Sequence, residues 1–295
     1  MTPPVARSVA HLRQAVAGWR VSKPGAIVAV VPTMGALHDG HLSLVRAALD
    51  SADRVVVTLF VNPRQFDRTA DLAAYPRDET ADRAKLAPLG VYLLYAPDAG
   101  AMYPADFATT VAVGGVGKGL CGASRPGHFD AVATVVAKLF LQAGADLAFF
   151  GEKDFQQLHV VRRMASDLDV PTRIVACPTV REPDGLALSS RNVRLSPTER
   201  QVAPRLAAAL FDAADEMTGG ACVAPTLANA HAAIIEAGFA RLDYVELRAE
   251  ADLRPMASLD RPARLLAAAW LGDTRLIDNV AVFPRYMDRA SRAKT

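Results

Sequence analysis

The sequence predicts an α/β fold: a parallel sheet with helices on both faces, followed by a smaller C-terminal α+β domain. Three observations point to it. Short, apolar, β-branched runs alternate with helix-periodic stretches up to about residue 180, the pattern of a parallel sheet buried on both sides. Polar clusters follow strand-like runs at 32–41, 62–66 and 151–154, where such sheets bind ligands, beyond the C-terminal ends of their strands. Past residue 180 helical stretches come first and strand-like runs last. The expected domains are 1–179 and 180–295.

The elements follow in order. Residues 26–31 read as a buried strand, and 41–49 carry apolar residues at helical spacing. Residues 54–61 form a second strand, ending in the polar loop Asn62-Pro63-Arg64-Gln65-Phe66. A helix is expected around 78–89, a third strand at 91–95, and irregular, glycine-rich chain at 106–127. A long helix is expected at 129–143, a strand at 146–150, a helix at 155–168 and a strand at 172–177. In the second domain, Ser196, Pro197 and Glu199 make an N-cap, a first helical position and a capping box. That helix should run to about Met217, and another should cover 225–236. Strands follow at 243–247, 264–271 and 275–283, the last two joined by a Gly272-Asp273 turn. The tail from Arg285 should be frayed.

Composition narrows the function. The chain has 295 residues, 51% hydrophobic and 22% charged, with 33 basic against 31 acidic side chains and a net charge of +2. That balance carries no nucleic-acid footprint, and no apolar run reaches membrane-spanning length. The N-terminus has no signal-peptide core. Cys121, Cys177 and Cys222 are odd in number and far apart, so a reduced, cytoplasmic setting fits. Cys177 lies in an apolar run and reads as buried and inert.

The stretch from Pro32 to Leu42 carries the chemistry. A strand enters a glycine-containing loop that feeds a helix, leaving backbone N–H groups at a positive helix end suited to phosphate. His38 and His41, three residues apart, can face one ligand there. There is no His-Glu-x-x-His and no nearby cysteine, so zinc has little support. Gly117-Lys118-Gly119-Leu120-Cys121-Gly122 matches a dinucleotide pattern behind a plausible strand, but Pro126-Gly127 stands where its helix should start. Lys118 lacks a following Ser or Thr, so no Walker motif exists either. The cations His38, His41, Lys153 and Arg191, with Ser189 and Ser190, could hold a polyphosphate. Asn62, Gln65 and Gln157 are neutral amides fit for a small polar substrate.

His38-Asp39-Gly40-His41 resembles the signature of the nucleotidylyltransferase superfamily. The wider set is narrower: residues 32–38, 60–66, Tyr75-Pro76-Arg77, 125–129, 151–157 and Ser189-Ser190-Arg191-Asn192 together resemble the pantothenate synthetase family, over about 26–282. The resemblance implies a Rossmann-like N-terminal domain, a C-terminal lid, a homodimer, Mg²⁺, and ATP-dependent joining of pantoate to β-alanine. It implies that Met34, Gly35, Ala36, Leu37, His38, Asp39, Gly40 and His41 line ATP, with His38 catalytic. Gly151, Glu152, Lys153 and Asp154 would contact the nucleotide, with Lys153 on the phosphates. Val180 would touch adenine, and Leu188, Ser189, Ser190 and Arg191 would close over the phosphates. Gln65 and Gln157 would hold pantoate, Gln65 would border β-alanine, and Val135 and Val136 would form apolar walls. Asp82 matches an acidic position associated with the metal. Ala131, Leu188 and Arg64 depart from the family's usual glycine, methionine, and threonine or methionine.

The implied chemistry starts with a carboxylate attacking the α-phosphorus of ATP, and the cations would offset the repulsion. An acyl-adenylate is labile to water, which suits a closing lid. The β-alanine amine then displaces AMP, with no enzyme nucleophile. Two other readings remain: another adenylyl- or cytidylyltransferase, and a non-catalytic nucleotide-binding regulator.

Overall fold

A computed structural model describes residues 2–285; the tail expected to fray lies outside the described residues. The chain divides into two compact units, one of residues 1–152 and 157–179, the other of 153–156 and 180–295.

The first unit contains β1 (Val5–Ala6), α1 (Val9–Ser22), β2 (Val28–Thr33), α2 (Asp39–Ser51) and β3 (Arg54–Leu59). Then come α3 (Thr69–Ala73), α4 (Glu79–Leu86), β4 (Leu93–Tyr95), α5 (Ala99–Met102) and α6 (Leu120–Ser124). It closes with α7 (His128–Ala143), β5 (Leu147–Gly151), α8 (Phe155–Asp167, whose first two residues fall in the other unit) and β6 (Arg173–Cys177). The six strands form one sheet in the order β1-β4-β3-β2-β5-β6, and every pairing is parallel. β2 and β3 are buried almost throughout, and the apolar stripe of α2 (Leu42, Val45, Ala48) packs with Ala29, Val31, Val55 and Val57. α7 is apolar nearly all round and buried nearly all round, as such a helix must be.

Strand order reverses between β2 and β5. The loops after these two neighbours, and after β3 on the other side of β2, therefore leave the sheet side by side. A reversal point of this kind opens a crevice at the C-terminal strand ends, and residues 34–38, 62–66 and Gly151-Glu152 all start there.

The second unit holds α9 (Pro197–Val202), α10 (Pro204–Thr218), α11 (Val223–Glu236), β7 (Arg241–Ala249), β8 (Ala263–Leu271) and β9 (Thr274–Val282). The strands make an antiparallel sheet, β7-β8-β9. α10 and α11 share one core with it, centred on Leu210, Ile234 and Leu265.

Two expectations need correction, and one stretch of the chain goes unread by its pattern. The helix from Ser196 is two helices, because Pro204 has no N–H to continue the first and instead starts the second. β1 and α1 escape the sequence pattern; β1 is two residues long, and α1 buries only Leu12 and Val16, too little to make a periodic stripe. No strand precedes Gly117: residues 107–114 are irregular. Gly122 serves packing there, since a Cβ on it would lie 1.9 Å from the Gly117 carbonyl oxygen.

Candidate active site

The loop between β2 and α2 is held in an unusual shape. Gly35 and Ala36 both take positive φ, 84° and 51°, a conformation that costs energy at alanine. Asp82, on α4 and buried, holds it: one carboxylate oxygen accepts the Ala36 N–H at 2.9 Å, the other the Leu37 N–H at 2.7 Å. Lys85, one turn on, donates to the Leu37 carbonyl at 2.5 Å. A Cβ on Gly35 would meet Leu59 at 2.7 Å and Asp82 at 3.1 Å, so glycine is required. Burial outweighs these two N–H donors and pushes the Asp82 carboxyl above its ordinary value.

His38 caps α2 in an extended conformation, and His41 sits three residues in. Their rings stack at 4.0 Å between centroids and 39° between planes. The His38 N–H donates to His41 Nδ1 at 3.4 Å. A neutral His41 therefore carries its proton on Nε2. These bonds show which backbone donors of the loop are already taken. The N–H groups of Ala36, Leu37 and His38 go to side chains, and that of His41 goes to the His38 carbonyl. The paired imidazoles stand at the N-terminus of α2 and add to what that helix end offers an anion.

Beside it lies the turn after β3. Asn62 is 1% exposed and uses its whole amide within the protein. Its oxygen accepts the Arg64 N–H at 3.3 Å and the Tyr103 hydroxyl at 3.0 Å. Its nitrogen donates to the Ala131 carbonyl at 3.2 Å and to Gln65 Oε1 at 3.1 Å. Because the Ala131 carbonyl only accepts, the orientation of both amides is fixed, and Gln65 turns its NH₂ outward, 3.0 Å from Met34 Sδ. Burial pushes the Tyr103 phenol up to about 12, so it stays protonated and donates. The Gln65 backbone carbonyl accepts from Arg125 Nη2 at 2.9 Å and lies 3.0 Å from His128 Nδ1. Val135 and Val136 are buried on α7, and Gln157 is half-buried in the first turn of α8. A cavity of about 420 Å³ opens against this loop, lined by Met34, Gly35, Phe60, Val61, Arg77 and Asp82 among others, a volume suited to a small ligand.

Gly151 ends β5, and Glu152 begins the single turn Glu152–Asp154. Cys177 is buried, and burial, with Glu152 nearby, raises its thiol, which agrees with an inert role.

In the second unit, the chain around 180–188 folds back on itself. The Leu188 N–H donates to the Val180 carbonyl at 3.0 Å and the Glu182 N–H to the Leu186 carbonyl at 2.8 Å. This brings Val180 beside Leu188. Ser189 then makes a tight turn: its hydroxyl accepts the Arg191 N–H at 3.2 Å and its carbonyl accepts the Asn192 N–H at 3.0 Å. Lys153 and Asp154 belong to this same unit.

Magnesium does not find a protein cage. Among the described residues no three His, Cys, Asp or Glu side chains stand together as a metal site. Both oxygens of Asp82 are committed to backbone N–H groups. Sequence reasoning assigns Asp82 to the metal and misses its bracing of the loop; it also gives no role to Tyr103, Arg125 or His128. The 125–129 motif is visible in the sequence, but nothing local ties it to Gln65, 60 residues away.

Known proteins are similar to this chain in both sequence and fold. The family model for pantoate-beta-alanine ligase matches residues 4–281. The chain is 66% identical over 282 residues to the pantothenate synthetase of Chelativorans sp. strain BNC1, covering 96% of this chain and 99% of that one. The crystal structure of pantothenate synthetase from Thermus thermophilus superposes with a TM-score of 0.89 at 46% identity, covering 95% of this chain and 100% of that one. A pantoate-beta-alanine ligase from Francisella tularensis, crystallised with beta-gamma ATP and beta-alanine, gives 0.79 at 31% identity, with 97% and 99% covered. No helix among the described residues is long and apolar enough to cross a membrane.

Proposed function

The chain belongs to the pantoate–β-alanine ligase family, and on that premise we propose that His38, His41 and Gln65 bring ATP and pantoate together for adenylate formation. The enzyme joins pantoate to β-alanine with conversion of ATP to AMP and pyrophosphate. One observation carries the site assignment: the Gln65 amide nitrogen lies 3.0 Å from Met34 Sδ. The donor aimed at pantoate thus adjoins the loop that carries the histidine pair.

The reaction needs an anion to approach a polyanion. A pantoate carboxylate oxygen attacks the α-phosphorus, the bond to the β-phosphate bridge breaks, and pyrophosphate leaves. His38 and His41 donate to the phosphates, where donors in place before the reaction stabilise growing charge. Lys153, Ser189, Ser190 and Arg191 are the second unit's proposed phosphate ligands, with Val180 and Leu188 on the base. Gln65 and Gln157 hold pantoate by neutral donors, so its carboxylate stays nucleophilic. Asn62, with every hydrogen-bonding position used, acts through Gln65 instead of on substrate. The β-alanine amine then attacks the acyl carbon of the pantoyl-adenylate, and AMP departs. Mg²⁺ would enter with ATP, the usual manner for this small hard cation, and would supply charge to offset that of the phosphates. We also assign the protein to the cytoplasm, consistent with cysteines that enter no disulfide, and to a homodimer.

The test is exchange of labelled pyrophosphate into ATP. It should occur with pantoate present and β-alanine absent, and fall to background without pantoate. His38→Ala should reduce it by about tenfold to a thousandfold, the range for losing one charge-stabilising donor. A regulator would show no exchange, and a cytidylyltransferase would require CTP. Exchange that depends on β-alanine would sink the stepwise route.

A further inference from the structure

We propose that Asn279, on β9, is a positioning residue for Lys153, and that with Asp278 it ties Lys153 to the 180–188 segment. The inference rests on the assignment of Lys153 to the ATP phosphates.

The geometry starts with a buried guanidinium. Arg264, on β8, is 7% exposed and forms a two-pronged pair with Glu250, at 3.0 and 2.8 Å. A buried pair of this kind adds little net stability, so its presence calls for another reason. Arg264 has two further uses. Its guanidinium lies 4.1 Å from the centre of the Phe155 ring, and its Nη1 donates to Asn279 Oδ1 at 3.2 Å. Arginine only donates, so the oxygen of the Asn279 amide must face it. The amide nitrogen is then turned the other way, and it donates to the Lys153 carbonyl at 3.0 Å.

Lys153 and Phe155 are therefore gripped two residues apart, one by its carbonyl and one by its ring. The grip extends along β9. Arg181 pairs with both oxygens of Asp278, which is 4% exposed, at 2.6 and 2.8 Å, and its Nη2 donates to the Asn279 carbonyl at 3.3 Å. Arg181 directly follows Val180 and also donates to the Gly185 carbonyl at 3.0 Å. Two adjacent residues of one strand thus hold both segments that carry nucleotide assignments in this unit. Each side chain of this network has its partners in place, which makes it rigid.

The chemical consequence is specific. Asn279→Asp keeps the size of the side chain but turns an acceptor toward the Lys153 carbonyl, so the 153 backbone must move. Pyrophosphate exchange per folded active site should fall between about tenfold and a hundredfold, the scale of a misplaced catalytic group. The pantoate KM should stay within about twofold, because pantoate is held by the first unit's amides. The decisive readout is a double-mutant cycle: in a Lys153→Ala background, Asn279→Asp should have no further effect on exchange. If Asn279→Asp fails to fold, Asn279→Ala, which only removes the donor, takes its place in the same cycle. Equal losses in both backgrounds, a wild-type rate for the Asn279 variants, or a pantoate KM that rises as the rate falls would each overturn the inference. A Lys153→Ala enzyme with normal exchange would instead refute the assignment of Lys153 to the phosphates.

Discussion

Asp82 shows what a single side chain does here. Its two oxygens are the fixed points of a loop held at two successive positive φ values, and its pKa is raised because burial outweighs its donors. The sign of the linkage follows. The native state keeps the proton to higher pH than the unfolded chain, whose carboxyl titrates near 3.8. Asp82 therefore takes stability away as pH rises from that value through the raised native one. Asp82→Asn removes this slope while weakening the brace. The difference in Tm, variant minus parent, should become less negative as pH rises through that window. A flat difference across it would contradict the assignment. The histidine pair is legible in the sequence because its four-residue motif sits at a strand–loop–helix junction. Asp82 is legible as an acidic residue but not as a brace, since its partners lie 45 and 46 positions away. Asn279 leaves no local signal at all, its partner being 126 residues distant.

At the scale of elements, local chemistry is read well where a start or stop signal is short and strong. Ser196 caps α9 as its sequence predicts: the Glu199 N–H donates to its hydroxyl at 3.3 Å and the Ser196 N–H donates to the Glu199 carboxylate at 2.8 Å. Ser196→Ala should lower stability by about 1 kcal/mol, measured by urea unfolding, with exchange activity unaffected; no loss of stability would mean the cap is idle. The break at Pro204 is equally present in the sequence, but the apolar period continues through it: Leu206, Leu210 and Met217 are buried on α10. Periodicity hides the proline. The opposite failure occurs at α1, where capping by Ser8 is clear and the apolar stripe is too thin. Strand neighbours are beyond local reading altogether. β1 pairs with β4, setting Val5 opposite Leu94 and Ala6 opposite Tyr95, and nothing near Val5 announces so distant a partner.

At the scale of the whole molecule, each unit closes a hydrophobic core of its own. Ala29, Val45, Val57 and Phe149 belong to one core, Leu210, Ile234, Leu265 and Val280 to the other, and all are 5% exposed or less within a single chain. Core burial on this scale supplies the main favourable term in folding, and neither core needs a second copy to cover these residues. We therefore expect the proposed homodimer to be an association of already folded chains, with its stability a matter of mass action. Two measurements separate these statements. Sedimentation at micromolar concentration should give twice the 31.4 kDa of the chain, and a mass of 31.4 kDa alone would refute the dimer. On dilution the mass should fall toward the single chain while the circular dichroism stays that of the folded protein. Loss of secondary structure in step with dissociation would show that the cores depend on the partner after all.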